Sequence, residues 1–165
     1  MKTTLICAAI GACAACGTPE PTSSTVKLPI QQKIHPNLQP FVEEFLADCE
    51  TRRSDCVERL SRIESMDVVD IPDLNTKDDE IVVGLCYDRF YTKKIEVNKL
   101  IMNKPYIYTR LLMYHELGHC AYGLDHEDDP HAIMAPSMPE MWVIVQNWPE
   151  MVMDLFGTIQ QKHGD

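Results

Sequence analysis

Residues 114–126 read YHELGHCAYGLDH. His115 and His119 stand four apart, so on a helix they lie one turn apart on the same face. Two imidazoles placed in that way can meet a single zinc ion at about 2.0–2.1 Å. Glu116 follows the first histidine and points along the same cleft, where it reaches a zinc-bound water rather than the metal. Zinc lowers the pKa of such a water toward about 7, and a glutamate that accepts its proton leaves a hydroxide nucleophile. The same carboxyl group can later deliver a proton to a leaving amine. Apolar residues precede the pattern, Gly118 lies inside it, and Gly123 follows as a natural left-handed helix cap. These flanks separate it from an amphipathic surface helix that carries the same residues by chance.

Outward from this stretch, the spacing predicts a helix that starts at Pro105, a residue comfortable in a first turn, and ends at Gly123. Ile107, Leu111, Leu112, Met113, Tyr114 and Leu117 give it a broad apolar face. A loop, DHEDDPHAIMAPSMPE, leads to a last helix over 141–162, with a break expected at Trp148-Pro149. Upstream, Leu38, Phe41, Val42, Phe45 and Leu46 fall at helical spacing within 38–50. Residues 51–63 carry no clear period. MDVVDI (66–71) reads as a short strand ended by Pro72, and PDLNTKDD as a polar loop. EIVVGLCY (80–87) is a β-branched strand, DRFYTKK a hairpin turn, and KIEVNKLI (94–101) an alternating strand. No internal repeat is visible. The fold class is α+β, with one domain over 36–165 that is long enough for its own core.

The formal charge of −10 argues against nucleic acid and anionic membrane surfaces as partners. The chain opens MKTTLICAAIGACAACGTPE, one lysine before a short apolar run and small residues. That is the layout of a signal peptide over 1–16, too short to span a bilayer. Ile10-Gly11-Ala12-Cys13 is similar to a bacterial lipobox, which makes Cys13 the lipidation candidate and Cys16 the alternative. An ordinary cleaved signal is the rival reading. Residues 17–35, rich in Pro, Ser and Thr, read as a flexible tether. The expected address is the bacterial cell envelope. With Ala14 after Cys13, sorting as an outer-membrane lipoprotein comes first, and a periplasmic or secreted protein is the alternative. The lipid anchor is then the only membrane contact, and the domain is expected to be monomeric. Cys7, Cys13 and Cys16 belong to the signal, which leaves Cys49, Cys56, Cys86 and Cys120 for two disulfides. Of three pairings, Cys49–Cys56 with Cys86–Cys120 is favoured, because Cys49 and Cys56 close a short loop. On one continuous helix those two would stand about 10 Å apart, so the helix has to break between them. Cys120 adjoins His119 but is rotated about 100° around the helix, which fits a disulfide or buried thiol better than a metal ligand.

HELGH (115–119), Gly123, His126 and Ile133-Met134-Ala135-Pro136 together resemble the metzincin clan of zinc metallopeptidases. The resemblance covers about 25 residues strongly. It implies a zincin-like fold, a mixed twisted sheet packed on the zinc helix, with an edge strand along a cleft where an extended peptide can add as a strand. It implies Zn2+ as cofactor, peptide or protein as substrate, and Met134 in a turn beneath the metal. One residue is extra: three residues separate His119 from Gly123 where the clan pattern has two, while G-x-x-H is intact. If the helix runs one residue further, the third ligand is His126. Asp125 is the rival, and Glu150, with Asp154 in E-x-x-x-D spacing, is a further one. The expected function is an exported zinc metalloendopeptidase with Glu116 as general base. The alternatives are a non-catalytic, zinc-supported envelope lipoprotein that acts as a binding module, and a structural protein with an accidental motif. His35, His131 and His163 read as solvated, Trp142, Trp148 and Tyr122 as packing residues, and Glu127-Asp128-Asp129 as a solvated run with calcium as the rarer alternative.

Overall fold

Apolar residues fall on almost every side of the segment 106–122, and a helix of that kind has to be covered all round. The computed structural model, which describes residues 33–71, 82–89 and 92–164, covers it in that way. In chain order the elements are strand β1 (Lys33–Ile34), helices α1 (Gln39–Glu50) and α2 (Cys56–Ser61), strands β2 (Ile63–Val69), β3 (Gly84–Arg89) and β4 (Thr92–Asn98), a 3-10 turn (Lys99–Asn103), and helices α3 (Tyr106–Tyr122) and α4 (Met141–His163). α3 touches β3, β4, α1, α2 and α4. The four strands form one mixed sheet in the order β1-β2-β4-β3. β1, β2 and β4 run parallel, and β3 lies antiparallel to β4 at the edge of the sheet formed by the described residues. The architecture agrees with α+β. Ile63, Met66, Ile95 and Val97 of the sheet share one buried cluster with Phe45, Leu112, Met113, Leu117 and Phe156.

The signal segment with Cys13 and Cys16, residues 17–32 of the expected tether, and the loop expected at 72–79 lie outside the described residues. The tether's last residues already belong to the sheet, since Lys33 and Ile34 pair with Ser65 and Met66. Elsewhere the element boundaries differ from expectation for local reasons. Residues 51–63 contain the six-residue α2, too short to show a period. β2 starts at Ile63, three residues early, because Ile63 is fully buried and enters the ladder opposite Lys93. β3 starts at Gly84 and runs to Arg89, so only residues 90–91 separate it from β4 and the hairpin turn is shorter than 88–94. β4 stops at Asn98, whose buried side chain accepts from Leu100 N–H and donates to the Val82 carbonyl, which starts the 3-10 turn. α4 continues through Pro149 instead of breaking. Proline removes one bond to the carbonyl four residues back. That carbonyl belongs to Val145, which is exposed, so water can satisfy it.

Cys49–Cys56 and Cys86–Cys120 are both bonded. The chain leaves α1 at Glu50 and turns before α2, which brings the Cys49 and Cys56 Cα atoms to 6.0 Å. The second disulfide ties β3 to α3. The turn between α1 and α2 also braces the end of α3. Arg53 and Arg59 both hold Asp55, at 2.9 and 3.0 Å, and their guanidinium groups lie 5.7 and 5.6 Å from the Tyr122 ring centroid. Arg53 further donates to the Gly164 carbonyl at 2.7 Å.

The hydrogen bond from Arg53, with Arg59 second, holds the Asp55 carboxyl at about 2, below its ordinary 3.8. The folded value is the lower one, so the stabilisation is complete above about pH 4 and disappears as the pH falls through 2. The side chain is 24% exposed, so solvent screening reduces the effect. Asp55→Asn should therefore lower the unfolding free energy by about 1–2 kcal/mol at pH 7. The difference from wild type should vanish in urea titrations near pH 2. A difference that persists there would mean that packing, not charge, is the source.

Candidate metal centre

α3 delivers His115 and His119 to one face, and the loop after it fixes how the two rings stand. Gly123 ends the helix with φ 62°, the left-handed region that favours glycine. Its N–H donates to the His119 carbonyl at 2.8 Å, and Leu124 N–H donates to the Gly118 carbonyl at 3.1 Å. The chain thereby turns back along the helix. The Leu124 carbonyl accepts from His119 Nδ1 at 2.6 Å, and farther on the Ile133 carbonyl accepts from His115 Nδ1 at 2.7 Å. A carbonyl oxygen can only accept, so both Nδ1 atoms carry the proton and both Nε2 atoms of the neutral rings present lone pairs. Those Nε2 atoms lie 3.0 Å apart. Two lone pairs at that distance repel unless a cation stands between them. Burial lowers the basicity of both rings, His115 down to about 4, and so opposes a proton in that place.

His126 is the third member. Its ring centroid stands 5.2 Å from that of His115 and 4.9 Å from that of His119. One ligand atom from each of the three histidines falls within 4.8 Å of the other two. On a tetrahedral ion with imidazole nitrogens at about 2.0–2.1 Å, two ligand atoms are about 3.3–3.4 Å apart, and the His115–His119 pair, at 3.0 Å, is near that spacing. The group can hold a metal ion. Asp125, next in the chain, does not join it: its side chain is 98% exposed and lies 3.6 Å from Lys162. Glu150 and Asp154 are exposed on α4, and Cys120 is bonded to Cys86. None of the three Glu127-Asp128-Asp129 carboxylates belongs to a metal-holding group among the described residues.

Glu116 is 4% exposed and borders the same cleft as the three histidines. Burial alone pushes its carboxyl up to about 8. A divalent cation nearby draws such a group back toward the ionised form. Met134 is buried beneath the helix. A methyl group at Gly118 would come within 2.6 Å of Met134 Sδ, so glycine at 118 leaves room for the Met134 side chain against α3. The loop is further held by Glu127, whose N–H donates to the Met134 carbonyl at 2.9 Å and whose carboxylate accepts from Thr158 of α4 at 3.3 Å. The cleft encloses about 820 Å³ between β3 and residues 133–138, with α3 contributing Leu111, Leu112 and the two histidines.

The carbonyl partners at Leu124 and Ile133 have no signature in the sequence, because every residue carries a carbonyl. Gly118 had one: a glycine inside a helix is unfavourable unless close packing requires it. Tyr122 is a packing residue, with its hydroxyl 3.0 Å from Cys49 Sγ. Trp148 packs on Tyr114, but Trp142, also expected in the core, is 59% exposed. His131 is exposed, whereas His163 is partly covered and bonds the Tyr122 carbonyl at 2.6 Å. Comparison with protein-family models, with curated proteins and with solved structures gives no match.

Metal retention against a graded chelator tests this grouping. His115→Ala, His119→Ala and His126→Ala should each release metal at far lower chelator concentration than wild type. Asp125→Ala should change little, because its carboxylate faces solvent. Should Asp125→Ala instead lose metal as readily as His126→Ala, the loop must bind metal in a different conformation.

Proposed function

We propose that this chain is an exported zinc-dependent metallopeptidase of zincin-like fold, with a metzincin-type site lengthened by one residue between the second ligand and the capping glycine. The observation that carries this reading is the convergence of His115, His119 and His126 in a cleft that also holds the buried carboxyl group of Glu116. Three imidazole nitrogens suit zinc, and a set of three protein ligands is what catalytic zinc sites use, whereas structural sites take four. When bound, zinc supplies a Lewis acid that polarises a carbonyl and acidifies water.

The rest falls to residues of the chain. Leu124 and Ile133, through their carbonyls, orient the ligand imidazoles and fix their tautomers. Glu116 takes the proton of the attacking water and returns it to the departing amine nitrogen. Burial of Glu116 keeps bulk water from competing for that proton. β3 is the edge of the sheet of described residues and borders the cleft, so an extended peptide can pair with it and lie across the histidines. Two disulfides are in keeping with an oxidising, extracytoplasmic compartment.

Glu116→Gln is the direct test. The amide keeps the shape but cannot accept the proton. Cleavage of a peptide library should fall by at least about 100-fold, with metal content unchanged. Equal cleavage by wild type and variant would remove Glu116 from the mechanism. Loss of metal in the variant would make it a ligand instead.

A further inference from the structure

Gly84 interrupts the run VVGLC at the start of β3, in the wall of the cleft. Its backbone is not in the left-handed region, so conformation does not call for glycine there. Inside a strand, glycine otherwise marks a place where another group comes close. Here that group is Glu116. A methyl carbon at position 84 would stand 2.4 Å from Glu116 Oε1, 2.9 Å from its Cδ and 2.8 Å from Leu112 Cδ1. Non-bonded heavy atoms settle at about 3.5–4.0 Å, so something would have to move.

What can move is limited by the neighbouring disulfide. Cys86 lies two residues along β3 from Gly84, on the same face of the strand. It is bonded to Cys120, which lies one helical turn beyond Glu116 on α3. Strand and helix are thus pinned together next to the close approach, and the histidines on either side of Glu116 are held through their Nδ1 atoms. Neither β3 nor α3 is free to withdraw, which leaves the ends of the Glu116 and Leu112 side chains to be displaced, the Glu116 carboxylate first because it stands nearer.

We propose that Gly84 is a positioning residue: the side chain it lacks leaves a recess in the cleft wall that seats the Glu116 carboxylate, at a strand-to-helix spacing fixed by Cys86–Cys120. The consequence for catalysis rests on the peptidase reading above. The seating itself does not.

The first arm of the test uses metal-free protein and no substrate. Alanine in place of a strand glycine usually leaves stability unchanged or raises it. Gly84→Ala should instead lower Tm, and the drop should shrink by at least half in a Glu116→Ala background, since only the Leu112 contact remains. If Gly84→Ala alone does not fold, recovery of a cooperative transition on adding Glu116→Ala supports the seating equally. An equal drop in both backgrounds, or no recovery, would overturn the proposal. The second arm is kinetic. In Gly84→Ala, kcat on a cleaved peptide should fall at least about tenfold, while KM and chelator resistance stay within about twofold. A loss confined to KM, or one that follows metal loss, would also overturn it. Absence of peptide cleavage by the wild type would sink the peptidase reading, and the Tm comparison would still decide the seating.

Discussion

Two nitrogen lone pairs face each other 3.0 Å apart at the end of the central helix, and both are placed there by hydrogen bonds to main-chain carbonyls. Left to themselves, imidazoles four residues apart on a helix can rotate away from one another or exchange tautomers. Here the Leu124 and Ile133 carbonyls remove both freedoms. Much of the surrounding architecture serves to keep those two carbonyls where they are. Gly123 reverses the chain so that Leu124 returns to the helix. Gly118 gives up its side chain so that Met134, next to Ile133, can pack beneath it. Glu127 ties the same loop to itself and to α4. On the far side, Arg53 and Arg59 cover Tyr122, the last residue of the helix.

The polar groups at the centre differ in how they are compensated. The two histidine rings are partly buried and neutral, each with one nitrogen satisfied by the protein. Glu116 is more deeply buried, and its shift has no cause besides the loss of water. A carboxyl group in that condition is costly to ionise. In the proposed reading, the metal held by the three histidines offsets that cost and returns the carboxylate to the form a general base needs. The site would then be poised only when the metal is bound, with its geometry set beforehand by hydrogen bonds that do not involve the metal.

The parts of this arrangement that were legible in the sequence are those that local geometry settles. His115 and His119 had to share a face because a helix repeats every 3.6 residues. Gly123 had to end that helix because glycine alone tolerates the left-handed cap cheaply. Cys49 and Cys56 could be paired from their separation, given a break in the helix. What stayed open depends on contacts between distant segments. His126 and Asp125 are neighbours, and only the path of the loop decides that one turns to the histidines and the other to Lys162. The edge position of β3 follows from β4 pairing in parallel with β2, an order that strand propensity does not encode. Pro149 reads as a break in any window of sequence, yet α4 passes through it, at a place where Val145, the residue four positions back, is exposed. Gly84 sits unremarked in a run read as a β-branched strand, because the carboxylate that explains it lies 32 positions along the chain (84 to 116).

In the proposed site three imidazoles, and no other side chains, hold one metal ion. X-ray absorption at the zinc edge of the zinc-loaded protein measures this directly. The expected result is one zinc per chain with three imidazole nitrogens at about 2.0–2.1 Å, one further light-atom ligand and no sulfur shell near about 2.3 Å. A sulfur shell, fewer than three imidazoles, or a six-coordinate oxygen environment would contradict it.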